Sequence, residues 1–177
     1  MHRLFVACIP AVEERRTLLD IMGGLEGARW QTDQQLHLTT RFIGDVDSSA
    51  AERIADHLAG LRARRFDLSL NGVGYFEKRG KAHTLWAGIA PAEPAAALHR
   101  KIDRALVSLG LPPEQRAYRP HITIARLALP VVALSPFLQA HAGLTSASYP
   151  VERLALFESL PTAEGRVYQP VVSIPLD

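Results

Sequence analysis

Two short segments, His37-Leu38-Thr39-Thr40 and His121-Ile122-Thr123-Ile124, repeat one pattern of histidine, apolar residue and threonine nearly half the chain apart. Both lie in runs that are rich in strand-forming residues. Because successive side chains of a strand point to opposite faces, the histidine and the threonine of each segment should share one face, with the apolar residue behind them. Two such strands related by an approximate two-fold axis would place two imidazoles and two hydroxyls around one cleft.

Outside these two segments, the chain mixes strands and helices with short connections. Strands are predicted at residues 4–9, 36–43, 66–70, 83–89, 121–127, 151–158 and 167–174, and helices at residues 11–22, 49–61 and 91–109. Residues 129–140 are ambiguous and are interpreted as a short helix. Strands that follow one another near residues 70–90 and 150–175 favour antiparallel pairing, so the predicted fold class is α+β rather than a doubly wound parallel sheet.

The composition of the 177-residue chain predicts a globular protein with a substantial core, since 47% of its residues are hydrophobic and 21% are charged. The net charge of +2 is compatible with a polyanionic ligand without requiring one. Cys8 is the only cysteine, which excludes an internal disulfide and a multi-cysteine metal site, and its apolar neighbours predict a buried, inert thiol. The apolar run at residues 4–10 is too short to cross a membrane and does not resemble a signal peptide, so we expect a cytoplasmic location and no membrane partner.

The side chains of the repeated motif suit the cleavage of a phosphodiester. Attack of water on a cyclic phosphate needs a base that takes a proton from the water and an acid that gives one to the departing ribose oxygen. Imidazole, with an unperturbed pKa of about 6.5, can take either role near neutral pH. Threonine hydroxyls can donate hydrogen bonds to the non-bridging oxygens as charge develops. The ring strain of a five-membered cyclic phosphate lowers the remaining barrier, so no metal is required in principle.

On these motifs the chain resembles the 2H phosphoesterase superfamily, and within it the bacterial RNA 2′,3′-cyclic phosphodiesterases, also called 2′-5′ RNA ligases. That family is defined by two His-x-Thr-x motifs, which residues 37–40 and 121–124 match. Thr40 stands where the family usually has an apolar residue, which should affect local packing more than chemistry. Other segments resemble the family in the expected order, so the resemblance covers essentially the whole chain: residues 3–7 (Arg-Leu-Phe-Val-Ala), 42–44 (Phe-Ile-Gly), 119–126 (Arg-Pro-His-Ile-Thr-Ile-Ala-Arg), 154–159 (Leu-Ala-Leu-Phe-Glu-Ser) and Gly165, Arg166 and Tyr168.

The resemblance implies a single bilobal domain over residues 1–177, with two antiparallel sheets and outer helices around a central cleft. It implies hydrolysis of RNA 2′,3′-cyclic phosphate ends to 2′-phosphomonoesters, with His37 as the proton donor and His121 as the proton acceptor. Thr39, Thr123 and Arg126 would bind the phosphate. We expect no cofactor, a monomer, and RNA ends or small cyclic nucleotides as partners. Joining of RNA ends through a 2′-5′ linkage is the reverse reaction and uses the same two histidines.

The two residues that follow the first motif, Arg41 and Phe42, are candidate substrate contacts. Strand alternation predicts that they lie on opposite faces of the strand. Arg41 has the same parity as His37 and Thr39, so it is expected at the rim of the cleft. Phe42 could stack on a base or a sugar. Its parity is opposite to that of His37, which favours a position in the core.

Three residues beside the second motif are also candidates. Arg126 has the wrong parity relative to Thr123, so it can point into the cleft only if a bulge or the end of the strand intervenes. Tyr118 and Arg119 precede the motif and could line the cleft, or could serve packing alone.

Several alternatives remain open from the sequence. The same site could act on small nucleotides, such as a cyclic phosphate on ADP-ribose, or the chain could be a non-catalytic RNA-binding module. A metallophosphodiesterase is poorly supported, because no Asp, Glu or further His stands at ligand spacing beside either motif. Arg62, Arg64 and Arg65 form a basic cluster at a helix end, which interaction with the helix dipole or contact with an RNA backbone would explain.

Overall fold

The computed structural model describes residues 1–128 and 134–177. Within this part of the chain the strands are β1 His2–Cys8, β2 Ala28–Trp30, β3 Leu38–Val46, β4 Phe66–Lys78, β5 Lys81–Ala90, β6 His121–Leu127, β7 Tyr149–Val151, β8 Arg153–Thr162 and β9 Gly165–Pro175. The helices are α1 Val12–Ile21, α2 Ser48–Ala59, α3 Ala92–Ser108 and α4 Leu134–Ala140, and a 3-10 helix spans Asp33–Gln35.

The strands form one antiparallel sheet in the order β7-β4-β5-β6-β3-β1-β8-β9, with β2 paired to β6 outside this path. At the centre, β3 and β6 are the strands that carry the two motifs, and they meet at the pair Leu38 and Ile122. The two halves β3-β1-β8-β9 and β6-β5-β4-β7 therefore extend in opposite directions from the motifs. The predicted α+β class is confirmed, and the two sheets expected from the resemblance are joined through this narrow central contact.

The helices cover the face of the sheet opposite to the motif histidines. On the first half, α3 packs on β3, and α2 packs on β1 and β9. The apolar residue of each motif points into this core, where Leu38 and Ile122 are fully buried, as strand alternation requires. The helix α2 begins after Asp47, whose side chain accepts a hydrogen bond from the backbone N–H of Ala50. In the described residues, no helix is both long and apolar enough to cross a membrane.

The main difference from the predicted elements is the length of β4, which continues from residue 70 to Lys78. Gly74 lies under the indole of Trp86 on β5, and a Cβ there would stand 2.4 Å from the ring. The glycine thus permits a close side-chain approach within a strand. The short strands β2 and β7 were not predicted. Of the predicted helix at 129–140, residues 134–140 form α4, and residues 129–133 lie outside the described residues.

Candidate active site

The two motif histidines are held in the same way. The Nδ1 atom of His37 lies 2.6 Å from the carbonyl oxygen of Gln35, and the Nδ1 atom of His121 lies 2.6 Å from that of Arg119. A carbonyl oxygen only accepts hydrogen bonds, so each Nδ1 carries the proton in the neutral ring. Each Nε2 is then the nitrogen with a free lone pair, and no hydrogen-bond partner for it is found among the described residues. Both rings are oriented for proton transfer at Nε2.

Each imidazole also packs against two aromatic rings from other strands of its own half. The ring of His37 lies 4.9 Å from Phe5 on β1 and 5.0 Å, edge-on, from Tyr168 on β9. The ring of His121 lies 4.8 Å, edge-on, from Phe76 on β4 and 6.2 Å from Trp86 on β5. These contacts restrict the rings to one orientation and remove much of their hydration.

Burial lowers the pKa of both histidines. The pKa of His37 falls to about 4, because loss of water outweighs the opposing hydrogen bond to Gln35 and because the charges of His121 and Arg126 add to the lowering. Burial and the charge of Arg126 lower the pKa of His121 as well, against the hydrogen bond to Arg119. Both rings are therefore neutral near pH 7 in the free protein.

Matched β-bulges follow the two motifs and change which residues face the histidines. In β3, Thr39 pairs with Ala7 while Arg41 pairs with Val6, so Thr40 is the extra residue. In β6, Thr123 pairs with Trp86 while Ala125 pairs with Leu85, so one residue is again extra. A bulge reverses the alternation of the residues that follow it. Position 42 in β3 and position 126 in β6 consequently lie on the face of the motif histidines.

Arg126 can face the cleft only if a bulge precedes it in β6, and the structure has such a bulge. It lies beyond the bulge, is exposed, and its Nη1 atom donates a hydrogen bond of 2.9 Å to the hydroxyl of Thr84, its cross-strand neighbour. Its positive charge contributes to the lowered pKa of both histidines. The guanidinium therefore lies on the histidine face, where it can attract an anion.

The expected position of Arg41 at the rim of the cleft is wrong, because the bulge at Thr40 turns its side chain into the core. Arg41 is only 7% exposed. Its Nε donates to Asp103 on α3 at 2.7 Å, its Nη2 to the carbonyl of Pro112 at 2.7 Å, and its Nη1 to the carbonyl of Phe42. Arg41 thus ties β3 to the helix layer and makes no contact in the cleft.

The core position favoured for Phe42 is also wrong, for the same reason. Its side chain is 37% exposed and pairs directly with Phe5, which packs on His37. The guanidinium carbon of Arg3 lies 5.0 Å from the centre of its ring, a cation–π contact. An exposed aromatic face therefore stands on the histidine side of the sheet.

Tyr118 lies behind β3 rather than in the cleft. Its ring stacks at 4.3 Å on His99 of α3, and its hydroxyl donates to the carbonyl of Thr39 at 2.9 Å. His99 in turn bonds to the carbonyl of Thr40 through Nδ1 at 2.6 Å. This pair satisfies the carbonyls at the bulge, so the expected substrate contact of Tyr118 is replaced by a structural role. Arg119 is exposed and contributes its backbone carbonyl to His121.

The departure from the family pattern at Thr40 has a local explanation. Thr40 is fully buried, and its hydroxyl donates to the carbonyl of Val6 at 3.0 Å. A hydroxyl at this position satisfies a backbone acceptor beside the bulge, where ladder pairing is interrupted.

A family model described as the 2′-5′ RNA ligase superfamily matches residues 10–162. The chain belongs to this superfamily. The resemblance seen in the motifs is thereby confirmed. Two curated relatives named RNA 2′,3′-cyclic phosphodiesterase are similar over most of their lengths. The one from Aeropyrum pernix is 30% identical over 80% of this chain and 82% of the relative, and the one from Thermus thermophilus is 32% identical over 94% and 86%.

Solved structures in this superfamily share the fold. The Thermus thermophilus protein TT0787 is 26% identical, with a TM-score of 0.77 over 98% of this chain and 97% of that one. Escherichia coli LigT in its apo form is 22% identical, with a TM-score of 0.80 over 99% and 97%. At that identity the second comparison speaks for the fold alone.

Three aromatic residues that pack on the motif histidines were not predicted as site residues. Phe76 and Trp86 contact His121, and Tyr168 contacts His37, from strands that pair only in the folded sheet. No local pattern marks Phe76 or Trp86, and Tyr168 was noted only as part of the family resemblance. One signal for the second bulge was present: Ile124 and Ala125 are consecutive apolar residues in an otherwise alternating strand, and both are buried. Among the described residues, no three His, Cys, Asp or Glu side chains are grouped as ligands for a metal ion.

Proposed function

We propose that this chain is an RNA 2′,3′-cyclic phosphodiesterase that opens the cyclic phosphate to a 2′-phosphomonoester. The observation that carries the proposal is the matched pair of imidazoles, each with Nδ1–H donated to a backbone carbonyl and Nε2 left available. General acid–base catalysis needs two such groups with opposite protonation states. Membership of the superfamily and the names of the curated relatives support the same reaction.

In the proposed mechanism, Nε2 of His121 takes a proton from water as the water oxygen forms a bond to phosphorus. The bond between phosphorus and the 3′-oxygen breaks, and Nε2–H of His37 gives its proton to that oxygen. The 2′-phosphomonoester remains, and the two histidines have exchanged protonation states. Of the two rings, His37 has its pKa lowered to about 4, which makes its protonated form a strong acid toward the leaving oxygen.

The developing charge on the non-bridging oxygens would be stabilised by the Arg126 guanidinium and by the hydroxyls of Thr39 and Thr123. Both threonines are half-buried on the histidine face, and Arg126 is exposed beside them. Charge-assisted hydrogen bonds from arginine to phosphate are among the stronger polar contacts in proteins. Attack of a 5′-hydroxyl instead of water, with the same base and the same acid, would break the bond to the 3′-oxygen and join two RNA ends through a 2′-5′ linkage.

The test is incubation with an RNA oligonucleotide that ends in a 2′,3′-cyclic phosphate, in the presence of EDTA, followed by identification of the phosphate position in the product. We expect a 2′-phosphate and no 3′-phosphate. A folded protein that binds the oligonucleotide without converting it would instead be an RNA-binding module. Turnover of a cyclic phosphate on ADP-ribose but not on RNA would show that the substrates are small nucleotides. A 3′-phosphate product would reverse the assignment of the leaving oxygen.

The pH dependence of kcat/KM should show an optimum below pH 6.5. The productive free enzyme holds one proton on the pair, and this state is most populated between the two macroscopic pKa values. Because burial and Arg126 lower both pKa values, that of His37 to about 4, the rate should fall about tenfold per pH unit above the higher one. Steady-state rates between pH 4 and pH 9 would measure this profile.

The variant Arg126→Ala tests whether the charge of Arg126 lowers the pKa values of the two histidines. Removing the positive charge should raise both pKa values, so the alkaline limb of the profile should move to higher pH while kcat/KM falls overall. Arg62→Ala, which removes an exposed charge from the loop after α2, should leave the pH profile unchanged. A wild-type plateau extending to pH 8 would contradict the lowered pKa values.

Replacing Phe42 by alanine should weaken substrate binding with little effect on kcat. The exposed ring stands on the histidine face beside Arg3, and stacking of a base on an aromatic side chain is worth about 1–3 kcal/mol. We expect KM for the oligonucleotide to rise by roughly 5- to 150-fold, with Phe42→Trp close to wild type. Val107→Ala removes a side chain of similar exposure, 40%, from α3 and serves as the control. An unchanged KM would show that the terminal base does not contact this ring.

A further inference from the structure

We propose that exposed cations on the second half of the sheet form a track for the RNA backbone, which extends the active site over Arg29 and the β4–β5 hairpin. This inference rests on the proposed function and deepens it. The substrate is then an oligonucleotide with several phosphates upstream of the cyclic end, rather than a small cyclic nucleotide.

One row of paired residues defines the start of the track. Arg29 on β2 pairs with Arg126 on β6, Arg126 pairs with Thr84 on β5, and Thr84 pairs with Phe76 on β4. Directly paired residues of an antiparallel ladder share a face. The ring of Phe76 packs edge-on against His121 at 4.8 Å, so the whole row faces the cleft.

The hairpin tip continues this face with further cations. Lys78 lies two residues beyond Phe76, about 7 Å along the strand, and has the same parity. It pairs with Lys81 on β5, and the two flank the turn at Arg79 and Gly80. Alternation turns Glu77 to the opposite face. The tip thus presents two lysines on the face of His121.

Two directly opposed pairs of like charge lie on this face, Arg29 with Arg126 and Lys78 with Lys81. Like charges opposite one another destabilise a sheet. Arg29, Lys78 and Lys81 make no ion pair within the described residues, and residues 129–133 carry no charge in the sequence. A bound polyanion would neutralise both pairs.

The first half of the sheet lacks this charge at its corresponding row. There Phe42 pairs with Phe5, and Phe5 pairs with Phe157. The nearby Arg3 is neutralised by Asp45 at 3.0 Å. The first half therefore offers aromatic faces with Arg166 as an exposed cation two residues from Tyr168, whereas the second half offers a row of several cations. This greater charge directs the RNA backbone across β6, β5 and the β4–β5 hairpin.

The experiment compares a mononucleotide 2′,3′-cyclic phosphate with RNA of two, four and eight nucleotides ending in the same group. Wild-type kcat/KM should rise with length. The double variant Lys78→Ala/Lys81→Ala should lose roughly tenfold on the longer RNAs and keep its mononucleotide rate. Its dependence of log(kcat/KM) on log[salt] should be shallower by about 1 to 1.5, since each phosphate contact on single strands contributes about 0.7.

The matched control is Arg62→Ala/Arg64→Ala, which removes two exposed cations near the opposite end of β4 and should leave the length dependence intact. The track would be overturned by any of three results. Wild-type kcat/KM could be the same at all RNA lengths, the arginine control could lose as much kcat/KM as the lysine variant, or the lysine variant could lose as much on the mononucleotide as on the longer RNAs. If no substrate is turned over, the proposed function fails separately. Fluorescence anisotropy with an eight-nucleotide RNA bearing a terminal phosphate then decides the track, since the lysine variant should bind more weakly than the arginine control.

Discussion

Replacing His121 by alanine should lower kcat for opening of an RNA 2′,3′-cyclic phosphate by about 10²- to 10⁴-fold, the range typical of a lost general acid or base. His37→Ala should have an effect of the same size, because each step of the proposed reaction moves a proton at one Nε2 atom. The losses should not multiply in the double variant, since two groups that act as a unit contribute non-additively. Single-turnover kinetics on a cyclic-phosphate oligonucleotide would measure them.

The control for this prediction is His57→Ala, which removes an exposed imidazole from α2. It should retain the full rate. Circular dichroism and thermal unfolding should show that His37→Ala and His121→Ala remain folded, because each ring is only half-buried and gives up one hydrogen bond to a backbone carbonyl. Turnover that survives both substitutions in folded protein would refute the acid–base pair.

Asp103→Ala should reduce the free energy of unfolding by about 3 kcal/mol, because it removes the nearer of the two carboxylates beside the buried Arg41 guanidinium and leaves only Glu114, at 3.8 Å. The two side chains meet at 2.7 Å, with Arg41 7% exposed and Asp103 19% exposed. The carboxylate also accepts the backbone N–H of Glu114 at 3.1 Å. Urea denaturation at pH 7 would measure the loss.

Two further variants separate the ion pair from general packing. Replacement of both partners, Arg41→Met with Asp103→Leu, should recover much of the stability, since a buried pair replaced by apolar residues is often neutral. Arg100→Ala, which breaks the exposed pair with Glu93 on the same helix, should change stability by less than about 1 kcal/mol. A similar loss in Arg100→Ala and Asp103→Ala would contradict the buried-charge explanation.

The pKa of Asp103 determines how the stabilisation by its ion pair with Arg41 depends on pH. Burial alone would raise it, but the Arg41 hydrogen bond, the Glu114 N–H and the nearby positive charges together lower it below 3.8. Its ionised form is thus favoured by folding, and the stabilisation is present above about pH 4 and lost as the pH falls through the lower, folded-state pKa. The difference in the free energy of unfolding between wild type and Asp103→Ala should therefore become smaller in that acidic range.

The shared face of each motif histidine and its threonine was predictable from the sequence, because side-chain alternation is a local property of a strand. His37 with Thr39, and His121 with Thr123, share a face whatever the strands pair with. The α+β class followed in the same way from the order and spacing of the elements. The repetition of the motif in two strands indicated that both pairs belong to one cleft.

The positions of Arg41, Phe42 and Arg126 could not be determined in that way. A bulge is a mismatch between two paired strands, so it depends on β1 and β5 as much as on β3 and β6. The bulge at Thr40 reversed the expected places of Arg41 and Phe42, and the bulge in β6 brought Arg126 to the histidine face. No run of residues within β3 signals its bulge.

The environment of the histidines also came from the tertiary structure alone. Phe5 and Tyr168 surround one ring, and Phe76 and Trp86 the other, although these residues are far apart in the chain. Their burial of the imidazoles lowers the pKa values that set the pH dependence. The sequence by itself thus determined which groups are proposed to transfer protons, because that choice lies in residue type and local alternation. Strand pairing and packing decided what surrounds those groups and how acidic they are, because both depend on contacts between distant segments.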